Sequence, residues 1–134
     1  MADQFRTDIP VPGNLTTTQA QAAVGKILCD DASNNRYKIG GDATAAAGDD
    51  QGAYYVYGLD QSQTMFTVIA DGIVDDVTIT GAIDFSADGP FLSFDASGNI
   101  VKAAAGENVI GRLTEAADVA GGGKARVRFT FSQT

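Results

Sequence analysis

With 134 residues, 44% of them hydrophobic, the chain is long and apolar enough for one domain with a buried core, which excludes an intrinsically disordered chain. No apolar run approaches ~20 residues, so no segment reads as a membrane-spanning helix, and the first four residues lead into no apolar stretch of the secretory kind. The net charge of −8 is unevenly placed: residues 39–101 hold ten Asp and no Lys or Arg, a surface that repels phosphates and argues against a nucleic-acid partner.

Residues 1–13 read as an extended arm. Pro10 and Pro12 flank Val11, which favours extended backbone and removes two N–H donors. Phe5, Ile9 and Val11 are apolar for a solvated tail. The segment is either a frayed terminus or an arm laid on a neighbouring chain or surface. Residues 14–134 read as a single β-rich domain. Its onset, 14–28, has two readings. Ala20, Ala23, Val24, Ile27 and Leu28 follow helical spacing behind an Asn14 or Thr16 cap; alternatively the backbone is extended and runs into a strand at 26–29. Gly25 and the run of three Thr count against an unbroken helix. Cys29 is the single cysteine, so no internal disulfide can form, and it reads as a small buried hydrophobe.

Residues 30–35 are turn chemistry, and 36–39 a short strand. Residues 40–52 read as an exposed loop. Residues 53–59 read as a strand in which Tyr54, Tyr55 and Tyr57 either bury their rings and keep their hydroxyls wet, or form a contact surface. Residues 64–70 are a strand. Asp71-Gly72 signals a tight hairpin turn, 73–74 is a short run, and 77–80 alternates as a strand with one wet face. Residues 83–85 continue it past Gly81.

Residues 89–131 read as four strands: 90–94, 100–103, 109–114 and 124–131. Turns at 95–99 and 104–108 and a loop ending in Gly121-Gly122-Gly123 separate them. The last strand alternates, with Lys124, Arg126, Arg128 and Thr130 on one face and Ala125, Val127, Phe129 and Phe131 on the other. That is the period of a half-buried strand. The whole reads as all-β and antiparallel.

The residue types restrict the chemistry. There is no His, which removes the commonest general acid/base and metal ligand. Cys29 alone builds no zinc cluster. Gly121-Gly122-Gly123-Lys124 is no phosphate loop, because Asp118 stands in place of its first Gly and Ala125 in place of its hydroxyl residue. The pairs Asp30-Asp31, Asp49-Asp50 and Asp75-Asp76 are neighbours that a strand points to opposite faces; Asp in turns is the simpler account. No catalytic, cofactor-binding or metal-binding residue is assigned. The basic stripe Lys124, Arg126, Arg128 pairs with the acidic middle, meets an acidic partner, or is a solvated face.

Four elements in 88–131 carry a family likeness. They are the strand Gly-Pro-Phe-Leu-Ser-Phe, the stretch Asp95-Ala96-Ser97-Gly98-Asn99-Ile100-Val101-Lys102-Ala103, the stretch Gly106-Glu107-Asn108-Val109-Ile110-Gly111-Arg112-Leu113, and the strand that starts at Lys124. Together with the Pro-rich arm and Thr-rich onset, they resemble the small capsid decoration, or cement, proteins of tailed bacteriophages. The resemblance implies a small antiparallel β-barrel or β-sandwich with an extended N-terminal arm, and a homotrimer. It implies a virion protein, made in the host cytoplasm, that binds the outer surface of a mature head and bridges major capsid subunits against the pressure of packaged DNA. No enzyme activity, cofactor, nucleic acid or membrane enters that role. The candidate contacts with a shell or a neighbouring subunit are then Phe5, Ile9, Pro10, Val11 and Pro12 of the arm, with Lys124, Arg126 and Arg128. The alternative is a carbohydrate- or surface-binding β module with Tyr54, Tyr55 and Tyr57 as a stacking platform. An enzyme working with carboxylates alone ranks third.

Overall fold

In the computed structural model, which describes residues 4–45 and 50–131, the architecture hangs on one 14-residue strand, β5 (Met65–Thr78). Before it come β1 (Gln4–Pro10), helix α1 (Thr17–Ala22), β2 (Ile27–Asp31), β3 (Arg36–Ile39) and β4 (Gly52–Leu59). After it come α2 (Phe85–Asp88), β6 (Phe91–Phe94), β7 (Ile100–Lys102), β8 (Gly111–Leu113) and β9 (Lys124–Thr130). The strands form one antiparallel sheet in the order β3-β2-β4-β5-β9-β8-β6-β7, with β1 added on β5. β1 registers with residues 65–72 of β5, β4 with 66–69 and β9 with 71–78. A strand has two edges, so β4 and β9 follow one another along the edge opposite β1. The sheet curls about this long strand into a half-barrel.

The structure corrects three sequence expectations. Asp71-Gly72 is no hairpin turn: both residues lie inside β5, opposite Thr130 and Phe129 of β9. A local turn signal yields to pairing on both edges, and Gly72 supplies the φ of 141° at the hand-over from β4 to β9. The Asp75-Asp76 pair is a β-bulge, where the register slips between Val74 and Val77 and Asp76 takes a φ of 58°. The runs 64–70, 73–74 and 77–80 are thus largely one strand. Residues 83–85 do not extend it; Ile83 makes an isolated bridge to Val119, and Phe85 opens the helical turn α2.

The stretch 14–28 combines both of its readings. Thr16 caps α1: its Oγ1 accepts the Gln19 N–H at 3.1 Å, and Gln19 Oε1 accepts the Thr16 N–H at 2.8 Å. Gly25, at φ 87°, turns the chain, and β2 begins at Ile27. A helix of six residues has no stability of its own and is held by packing. Ala20 and Ala23 bury against Leu28, Val56, Phe66 and Val68 on the outer face of β2, β4 and β5. The opposite face forms the larger core, built from Ile27, Tyr55, Ile69, Phe94, Phe129 and their neighbours.

The half-barrel is closed by backbone contacts of loops. The Ile27 N–H donates to Gly98 O at 2.9 Å, the Gly40 N–H to Ile27 O at 2.9 Å, and the Thr80 N–H to Ile100 O at 2.8 Å. The turn at 95–99 thereby docks on the start of β2 and the end of β3. Asp95 holds its shape, Oδ1 accepting the N–H groups of Ser97 and Asn99 at 2.9 Å each.

Candidate functional site

The antiparallel register sets a row of side chains across the outer face of the second half of the sheet. Ile73 stands opposite Arg128, Arg128 opposite Arg112, and Arg112 opposite Phe91. Directly opposed residues share a face, with Cβ atoms about 4.5–5.5 Å apart. Phe91 is 51% exposed and Val109 beside it 44%, so two large apolar side chains meet water next to two guanidinium groups. The Arg112 side chain has no hydrogen bond or ion pair to any described residue.

The rest of the basic stripe is engaged within the chain. Arg126 Nε lies 3.2 Å from Asp75 Oδ1, Arg128 Nη2 3.8 Å from Asp71 Oδ1, and Lys124 Nζ donates to Thr78 Oγ1 at 3.3 Å. The pairing of β9 with β5 thus joins the basic stripe to part of the acidic middle. These pairs are exposed, and each contributes less than ~1 kcal/mol. Asp71 Oδ1 is covered but makes no hydrogen bond, since 3.8 Å is an ion-pair distance only.

The arm residues lie on their own domain. Ile9 and Val11 pack against the cluster under α1, Pro12 is buried, and Pro10 is exposed at the end of β1 opposite Met65. Phe5 is in β1, and its side chain lies outside the described residues. Proline is tolerated here because β1 is an edge strand, paired with β5 alone among the described strands.

The tyrosines do not form a common platform. Tyr55 is 7% exposed and stacks on Phe129, Tyr54 packs edge-on to Tyr37 on the opposite face, and Tyr57 is 40% exposed beneath the Arg6 guanidinium, 4.1 Å from its ring centre. The separation follows from strand alternation plus the bulge between Val56 and Gly58.

Several acidic residues act in turns. Asp60 Oδ1 accepts the N–H groups of Thr64 at 2.8 Å and Met65 at 3.1 Å, and its Oδ2 accepts the Ser62 hydroxyl at 2.7 Å. These bonds, the Ser62 hydroxyl first, hold the Asp60 carboxyl below its ordinary value of 3.8. Asp88 is lowered likewise by the Asp84 N–H and then Lys102, and Asp42 by the Thr44 hydroxyl and then the Thr44 N–H. A carboxyl depressed in the folded state stabilises the fold above its unfolded pKa, and that stabilisation is lost as pH falls through the folded value. The urea midpoint is therefore expected to be flat from neutral pH to about 5 and to fall below about 4. Asp60→Asn, which keeps an acceptor for Thr64 and Met65, is expected to make the acid limb shallower. An unchanged acid limb in that variant would remove Asp60 from the account.

Cys29 is fully buried, and burial, followed by the Asp50 carboxylate, pushes its thiol up to about 12. A protonated, covered thiol is no nucleophile. Folded protein at pH 8 is expected to resist iodoacetamide, and protein in urea to react at once; rapid labelling of the folded chain would contradict this. Among the described residues, no three of Cys, Asp and Glu converge to hold a metal.

Arg112, Phe91 and Val109 escaped the sequence reading. Phe91 lies in the strand read at 90–94, where it alternates with the buried Leu92 and leaves the barrel interior to Leu92 and Phe94. The signal for Arg112 was its place between Gly111 and Leu113, both buried, which marks it as the outward residue of a three-residue strand. No protein-family model, no curated protein and no solved structure matches the chain.

Proposed function

We propose that the protein is a structural virion component that binds the outside of a mature phage head as a homotrimer and bridges major capsid subunits. The observation that supports this reading is the open edge of β1. Its backbone is paired on one side only among the described strands, and Arg6 is part of it. An open edge of this kind adds a strand from a partner through main-chain hydrogen bonds. It lies in the N-terminal segment for which the resemblance implies shell contact. The half-barrel behind it is tied by both sheet and loop hydrogen bonds, so the edge is offered on a rigid body. Three copies on one local three-fold engage three such edges at once, and weak single contacts then combine through effective concentration.

The test is co-sedimentation with empty heads of the phage that encodes the chain, expanded and unexpanded. Binding to expanded heads alone is expected. Absence from both pellets would overturn the reading.

A further inference from the structure

The outer face of β8 and the segment that follows it hold unpartnered charges of both signs side by side. The Arg112 side chain is free of any partner among the described residues, and so is that of Glu115. Arg112 and Glu115 line one recess of about 410 Å³, with Ile73, Phe85 and Pro90 among its apolar walls. Yet they do not pair with each other. On the far side of Arg112, Phe91 and Val109 add the exposed apolar surface. Arg128, directly opposite Arg112, has only the 3.8 Å contact with Asp71 to offset a like charge across the strand pair.

We propose that this face is the contact between copies of the chain, with Arg112 of one copy held by the Glu115 carboxylate of the next and Phe91 and Val109 buried between them. The charges of this face select a second copy as the occupant. What Arg112 lacks is a carboxylate beside an apolar surface, and every copy carries one three residues along the same chain. A face that bears both signs side by side suits a cyclic arrangement. Around a rotation axis the Arg112 of each copy meets the Glu115 of the next, and the ring closes. Arginine is the cation that such a contact favours, because its planar fork binds a carboxylate through two parallel hydrogen bonds. Removal of Phe91 and Val109 from water supplies the non-directional part. That the ring has three members rests on the function proposed above; the contact itself does not.

Sedimentation velocity of the full chain over a wide concentration range tests this without any shell. The wild type is expected to sediment as a trimer. Arg112→Glu is expected to weaken association by ~100-fold, as truncated or reversed charges in a covered pair do, and Phe91→Ser by ~10-fold. Both positions are exposed, so both variants are expected to keep the wild-type circular dichroism and thermal midpoint. The swap Arg112→Glu with Glu115→Arg restores opposite signs across the contact and is expected to recover the trimer. A wild type that stays monomeric overturns the proposal, as does an Arg112→Glu variant that assembles like the wild type or a folded swap that stays monomeric. A dimer upholds the contact and overturns the copy number. Trimers that fail to bind heads overturn the virion role alone, and monomers that bind heads overturn this contact alone.

Discussion

Gly40→Ala is expected to unfold the protein or leave it on the edge of unfolding at room temperature. Gly40 follows β3 at a φ of +75°, and a Cβ built there stands 2.3 Å from Ala96 O and 2.4 Å from Gly98 N. Both atoms are backbone, so no side-chain rotation relieves the clash. They belong to the turn that closes the half-barrel, where the Gly40 N–H donates to Ile27 O and the Ile27 N–H to Gly98 O. Relief therefore requires the 95–99 turn to lift away from β2 and β3, breaking the closure. The left-handed backbone alone costs an alanine about 1–2 kcal/mol. With the lost closure, a total above ~4 kcal/mol is expected, comparable with the whole stability of many small domains. Gly58→Ala is the control: Gly58 lies in β4 with nothing within 4 Å of a built Cβ, and a change within ~0.5 kcal/mol is expected. Urea midpoints measure both. Equal midpoints for the two variants would show that the closure does not hold the barrel together.

The same turn shows which parts of the fold the sequence disclosed. Asp95-Ala96-Ser97-Gly98-Asn99 is legible as a turn, because Asp95 caps it locally and Gly98 takes φ 81°. What it docks against is a long-range fact, carried by the absence of a side chain at Gly40, and no local pattern reports that. β9 was legible in full because one of its faces is buried and the other charged. β5 was not, because the signals along it compete. Its first half is buried on both faces, against the barrel core and beneath α1, so alternation vanishes there. In its second half, Asp71-Gly72 and Asp75-Asp76 mimic turns that pairing with β9 converts into strand and bulge. The candidate contact face was hidden for a related reason. Arg112, Arg128 and Phe91 are far apart in sequence, and only the register of β6, β8 and β9 makes them one row. The arm was read as extended from its prolines, and its pairing partner on β5 was beyond reach of any local signal.

Phe129→Ala is the second large expected effect, a loss of about 3–5 kcal/mol. Phe129 is fully buried, its ring stacked 4.6 Å from that of Tyr55 and 5.7 Å from that of Phe131. Tyr55 belongs to β4 and Phe129 to β9, two strands that are not paired with each other but succeed one another along one edge of β5. Their ring stack therefore spans the seam between the two halves of the sheet, where no ladder of hydrogen bonds runs. Truncation leaves a cavity at that seam and takes from Tyr55 its partner across it. Tyr55→Ala and Phe129→Ala should accordingly be non-additive, with a coupling of ~0.5–1.5 kcal/mol in a double-mutant cycle. Strict additivity would deny the stack any role in joining the halves. Phe91→Ala provides the contrast within one residue type: at 51% exposure it should change stability by less than ~0.5 kcal/mol while weakening self-association. One phenylalanine thus holds the fold and the other is free to serve contact, a separation that unfolding and sedimentation measure independently on the same two variants.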